Sequence, residues 1–158
     1  MTLNINAKEI SLSKYRLERA KQSLEAAKSS KDNNDWFTTN NRLYYAIFHA
    51  IRAVLALEKI DFKKHSAVIS YFNKNYILTN IFDKTYGKVV NNAFEIRQKS
   101  DYEDFYVVDK TKTEDLLKNT EKFLADIDKY LQSKYKWKYP WFLNRDKNPF
   151  YYFYLFNL

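Results

Sequence analysis

Cysteine is absent from these 158 residues, glycine occurs once, at Gly87, and proline twice, at Pro140 and Pro149. Without thiols there is no disulfide, no thiolate nucleophile and no thiolate metal site. So little glycine and proline leaves too few turn-formers for a β-rich or α/β domain of this length. Histidine is nearly missing as well: only His49 and His65 are present, and no HExxH spacing occurs. Neither a metal site nor a cofactor is expected on that basis. No run of roughly 18 apolar residues appears, so no membrane-spanning helix is expected. The opening residues, MTLNINAKEISLSK, lack an apolar stretch flanked by basic residues and do not read as a signal peptide. A cytoplasmic, all-α chain with one hydrophobic core is the expectation.

What is abundant fits helices joined by polar connections. Lysine and arginine total 27 against 19 aspartates and glutamates, giving a formal net charge of +8 and a pI near 9.4. Such a surface attracts polyanions, of which nucleic acid is the commonest in a cell. A Lys-rich surface that serves only solubility is the plainer reading. The heavy use of Asn, Lys, Tyr and Ile, as expected of an AT-rich genome, would favour it.

The apolar spacing predicts five helices. The first runs from Ser11 or Ser13, either of which can cap it, to about Ser30, with Leu17, Ala20, Leu24 and Ala27 on one face. After the polar turn SSKDNND, with Asn34 or Asp35 as cap, a second helix extends to Lys59. Its stripe of Tyr44, Ile47, Phe48, Ile51, Val54 and Leu55 marks it as the central core helix. A third helix covers about Lys64 to Tyr76, with Val68, Ile69 and Phe72 inward. ILTNIFDKTYG reads as a loop or one irregular turn, and a fourth helix spans about Tyr86 to Lys99. SDYEDFYVVDKTKT is a long connection, and Thr113 is placed to cap a fifth helix carrying Leu116, Leu117, Phe123, Leu124, Ile127 and Leu131. The domain is thus expected over residues 11–131. Residues 132–158 form a basic, aromatic C-terminal tail, which either straps apolar surface or stacks on RNA bases. Its uncharged run PFYYFYLF favours the strap.

One face of the fourth helix is anomalous. Tyr86, Val90, Ala93 and Arg97 recur at steps of four, three and four, so a guanidinium continues an apolar stripe. A charge there needs a partner or an open cleft. Asp101, four residues on, can pair with Arg97 to close the helix. The other reading holds Arg97 at a cleft or subunit seam to grip a phosphate.

RLYYAIFHAIRAVLALEKIDFKKHSAVISYF followed by YGKVVNNAFEIRQKSDYEDF resembles the HEPN domain, named for nucleotide binding in higher eukaryotes and prokaryotes. The likeness is to the branch with an SRAYYAMFHAARALL-like second helix and an RxxADY-like end to the fourth, and it covers roughly Ser11 to Leu131. It implies an up-and-down bundle of four to five helices that pairs as a homodimer. It also implies a toxin neutralised by a minimal nucleotidyltransferase antitoxin. Active members carry an arginine, four to six residues and then a histidine, and two copies together form a metal-independent RNA-cleaving site. Arg97 matches the arginine, QKSD the spacer, and Tyr102 stands where the histidine would be.

That departure matters, because a phenol with an ordinary pKa near 10 is a poor base at neutral pH. Arg97, Asp101 and Tyr102 are the candidate catalytic residues, with Arg97 and His49 as candidates for binding RNA or nucleotide. His49 otherwise reads as a hydrogen-bonded structural histidine, and His65 as a capping or surface residue. In the antitoxin-paired relatives a tyrosine beside the motif is adenylylated, which makes Tyr102 and Tyr106 candidate acceptors; plain packing of the connection is the alternative. An RNA-acting toxin and a non-catalytic module binding nucleotide, RNA or a partner protein both remain open.

Overall fold

A computed structural model describes residues 6–138, with side chains as far as Tyr135. Among these residues the order is α1 (Ala7–Asp32), α2 (Trp36–Ala56), α3 (His65–Phe72), a π-helical turn (Asn73–Ile77), α4 (Thr85–Tyr102) and α5 (Lys110–Lys138). The chain is all-α, as its composition dictates, and no strand occurs among the described residues. Of the tail expected over residues 132–158, residues 132–138 instead continue α5, with Tyr135 buried, and the remainder from Tyr139 onward lies outside the described residues.

α2 is the axis of the bundle. Leu43, Ala46, Ile47, Ala50, Ile51, Ala53, Val54 and Leu55 are all at most 2% exposed. A helix apolar on this many sides is enclosed rather than lodged on a surface. α1, α4 and α5 pack around it, and α3 closes one end. Ala46, Ala50, Ala53 and Ala56 let α1 approach closely, since small side chains bring two helix axes together. From α1 come Leu17, Ala20, Leu24 and Ala27, and from α5 Leu116, Phe123, Leu124, Ile127 and Leu131, all buried.

Helix ends depart from the sequence expectation in ways that matter for the site. α1 begins at Ala7, because Asn6 and Glu9 form a reciprocal capping box. Ser13 is therefore not a cap. It is wholly buried, and its hydroxyl donates to the carbonyl of Ala53 at 2.7 Å while bonding Tyr135 Oη at 2.8 Å. α2 starts on Asp35, whose carboxylate accepts from Thr38 N. It ends at Ala56 rather than Lys59, where the chain turns through a positive φ of 61°. Thr113 lies inside α5; Asp109 caps that helix instead, accepting from Lys112 N at 3.1 Å.

The third helix divides into α3 and a single π turn, in which Asn73 to Ile77 follow wider i→i+5 bonding. That turn packs against the start of α4 at Gly87. A Cβ on Gly87 would stand 3.3 Å from Ile77 Cγ2, so the one glycine marks a close approach of two segments. α4 continues three residues past Lys99, which places Asp101 and Tyr102 on the helix and not in the connection.

Candidate functional site: an arginine set on two tyrosines

The site grows from the register of α4 against α2. Tyr86, Val90 and Ala93 are buried as their spacing requires, and the same stripe delivers Arg97 to the face of α2 that carries Tyr44 and Tyr45. The Arg97 guanidinium carbon lies 5.2 Å from the Tyr44 ring centre and 5.7 Å from that of Tyr45. Both distances suit a cation held against aromatic faces. Nη1 pairs with Asp101 at 3.0 Å, and Nη2 donates a long bond of 3.4 Å to Tyr45 Oη. Nε is buried with no partner. The Arg97–Asp101 ion pair thus exists, and it leaves much of the guanidinium's donor capacity unused.

Around this point positive charge exceeds negative. Arg42 also lies over the Tyr45 ring, its guanidinium carbon 5.9 Å from the centre. Along α2, His49 stacks near Tyr45 with ring centres 6.0 Å apart. Arg52 lies against Phe48 and pairs with Asp61 at 2.7 Å. Arg16 of α1 shares that same Asp61 oxygen, also at 2.7 Å, and donates to the Arg52 carbonyl. Four guanidiniums, those of Arg97, Arg42, Arg52 and Arg16, therefore stand against two carboxylates, Asp61 and Asp101.

The histidines register this surplus. Burial, then the charges of Arg19, Arg52 and Arg16, pull His49 down to about 4. Burial, then Arg97 and Arg52, lower His65 as well. Both rings are neutral at pH 7. His49 makes no hydrogen bond within the described residues, so the expectation of a hydrogen-bonded structural histidine is not met. His65 opens α3, as expected from its place in the sequence, but it is no mere surface or capping group. Its Nδ1 bonds Tyr44 Oη at 2.8 Å, and its ring lies 4.1 Å from that of Phe48. No local signal joins His65 to Tyr44, 21 positions apart, so periodicity could not have found the contact.

Tyr102 is placed differently. It is 77% exposed and sits five residues after Arg97, about 140° around the helix, whereas the four-residue step to Asp101 is nearly in line. Tyr106 faces the opposite side of α4, toward Lys99, Glu103 and Asp109, and burial raises its pKa. It lines a groove of about 560 Å³ between α4 and the start of α5, with Asn40 at its floor and Arg97 not among its walls. The groove holds one buried atom without a partner, Asn40 Oδ1, which is neutral; the buried Nε of Arg97 also lacks one and belongs to a cation, and charge decides between the two places. Among the described residues no helix is long and apolar enough to cross a membrane.

Residues 13–130 match the model of the HEPN domain. The chain belongs to the HEPN family. It is 32% identical over 128 residues to a protein of Thermotoga maritima named "UPF0332 protein", covering 81% of this chain and 96% of that one. It is 35% identical over 118 residues to a protein of Methanocaldococcus jannaschii named "Putative toxin MJ0142", covering 75% of this chain and 80% of that one. A second protein of that organism, named "Putative toxin MJ0605", is 29% identical over 116 residues, 73% of this chain and 86% of its own. The stretch that carries the resemblance includes all of α2, α3 and α4.

Proposed function

We propose that this HEPN protein is toxin-like and acts on RNA, gripping a backbone phosphate with Arg97 at a cleft that a second copy completes. The observation that carries the reading is the arginine itself. Arg97 is drawn into the bundle, stacked on Tyr44 and Tyr45, with Arg42 on the same Tyr45 ring, and balanced by a single carboxylate. Such a guanidinium offers a phosphate oxygen charge-assisted hydrogen bonds in a partly desolvated setting, where they are strongest. Asp101 holds the fork in place, and His49, stacked near Tyr45, adds a neutral donor or acceptor on the same face of α2. The net charge of +8 brings the polyanion to this face. The names of the Methanocaldococcus relatives support the toxin-like part of the reading. In such a pair a minimal nucleotidyltransferase neutralises the toxin, with Tyr102, exposed at the end of α4, the more accessible acceptor for a nucleotidyl group.

A second reading has its own support. Tyr102 occupies the motif position of the histidine and turns away from Arg97, which favours a module that binds RNA or nucleotide without cutting it. One experiment separates the two: labelled RNA is incubated with the pure chain and with Arg97→Ala, and both binding and cleavage are followed. Cutting that disappears in Arg97→Ala supports the RNA-acting toxin. Binding without cutting supports the module. Cutting that survives Arg97→Ala contradicts the mechanism. Light scattering tests the dimer in parallel, since a monomer at micromolar concentration leaves no second copy to complete the cleft.

A further inference from the structure

Tyr102 is exposed and points away from Arg97, so a proton leaving the substrate at this cleft needs another acceptor. We propose that His65 is the proton-transfer residue of the Arg97 cleft, with Tyr44 as the residue that positions it. The assignment rests on the RNA-cleaving form of the reading above.

The geometry joins the three residues through one ring. Arg97 packs against Tyr44 at 5.2 Å, and the hydroxyl of the same Tyr44 meets His65 Nδ1 at 2.8 Å. Phe48, 4.1 Å away and tilted by 30°, holds the imidazole from its side. Nε2 has no protein partner and is not sealed from solvent. An imidazole oriented through one nitrogen and free at the other is the arrangement that general acid–base chemistry uses. His49 sits in the same positive field but has no hydrogen-bonding group to fix its ring.

The groups facing His65 are Tyr44, His49 and Arg52 of α2, Arg97 of α4 with Asp101 behind it, and Lys64 beside it in the chain. Burial and the two arginines keep the ring neutral, and burial keeps the Tyr44 phenol protonated. With the imidazole hydrogen on Nδ1, donated to Tyr44 Oη, the Nε2 lone pair is free. Nε2 then takes the proton of an RNA 2′-hydroxyl as its oxygen bonds to phosphorus and the bond from phosphorus to the 5′-oxygen breaks. The departing 5′-oxygen takes a proton from water, and His65 returns its own proton to water. A cyclic phosphate and a 5′-hydroxyl result, with no net proton change and no metal, oxidant or co-reactant.

The test is the pH profile of cleavage of a labelled single-stranded RNA by the full chain and its variants, with RNA affinity measured on the same samples. His65→Ala and His65→Asn should each lower kcat by roughly 100-fold, the scale of a lost general base, while RNA affinity stays near that of wild type. The fall in rate on the acid side, present in wild type, should vanish in both. Tyr44→Phe should lower kcat less and displace that acid limb. Unchanged kcat and an unchanged acid limb in both His65 variants, with Arg97→Ala inactive, would overturn His65 and leave the Arg97 reading standing. Wild type that binds RNA without cutting it overturns the assignment but not the binding cleft. Wild type that neither binds nor cuts overturns both.

Discussion

Arg16 on α1 and Arg97 on α4 are both largely withdrawn from water, with side chains 10% and 20% exposed. Arg16 spends its donors inside the fold: Nη2 on Asp61 and Nη1 on the Arg52 carbonyl, so that one guanidinium ties α1 to α2 and to the connection after it. Arg97 reaches one carboxylate on its own helix, four residues on, and meets α2 only through a long 3.4 Å bond to Tyr45 Oη and two aromatic faces. The ion pair of Arg97 ties no two elements together, whereas that of Arg16 does. A buried guanidinium that holds segments together is structural; one that leaves donors idle beside an opening is available to a ligand. The same distinction separates two faces of α2, one sealed with alanine and leucine, the other carrying Tyr45, His49 and Arg52 toward the cleft.

Substitutions that treat the two arginines alike should therefore give different results. Arg16→Ala leaves Asp61 paired with Arg52 alone, removes the donor to the Arg52 carbonyl and empties a buried position; with Asp61 half exposed, the loss should be about 2 kcal/mol of unfolding free energy. Chemical denaturation checks it, and a midpoint equal to that of wild type would make Arg16 as idle as Arg97. Next in size is an acid effect at His49. Its pKa is about 4 in the fold against an ordinary 6.5, so the unfolded chain binds the proton first. This contribution is complete above the ordinary histidine range and is lost as pH falls toward 4. Wild type should lose about 1 kcal/mol more than His49→Gln over that interval, after allowance for the half-open setting. Parallel curves for the two proteins would remove the burial and positive surroundings of His49 from the account.

Asp61→Asn sharpens the contrast in binding. Removing one of two carboxylates from a face of guanidiniums should tighten RNA binding by about 3-fold at low salt while lowering stability. Weaker binding by the folded variant would show that Asp61 positions Arg52 for RNA instead of restraining it. The smallest effect belongs to Tyr102→Phe, which should shift the thermal midpoint by less than about 1 °C, because an exposed hydroxyl with no partner contributes little. A clear destabilisation would place Tyr102 in a contact the monomer does not contain.

How much of this was legible beforehand follows from the range of each signal. The stripes of α2 and α4 were plain because a helix repeats its buried positions every three or four residues, and Arg97 stood out as the charge in such a stripe. The Asp101 pairing is legible for the same reason. The starts of α1 and α5 were misplaced onto serine and threonine caps, since Asn6 and Asp109 cap as well and several hydroxyl residues compete in each stretch. The π turn leaves no mark in composition. The contacts that define the cleft, Tyr44 with His65 and Arg16 with Arg52 and Asp61, join segments far apart in sequence, and only packing reveals them.

The central claim, that Arg97 is held for a phosphate and not for the fold, is tested most directly by titrating a labelled single-stranded RNA with wild type and Arg97→Ala at fixed low salt, each protein first shown to melt at the same temperature. The account predicts that Arg97→Ala weakens binding by about 10-fold or more, the scale of one lost charge-assisted contact, with a shallower salt dependence. Equal affinity and an equal salt slope for the two folded proteins would contradict it.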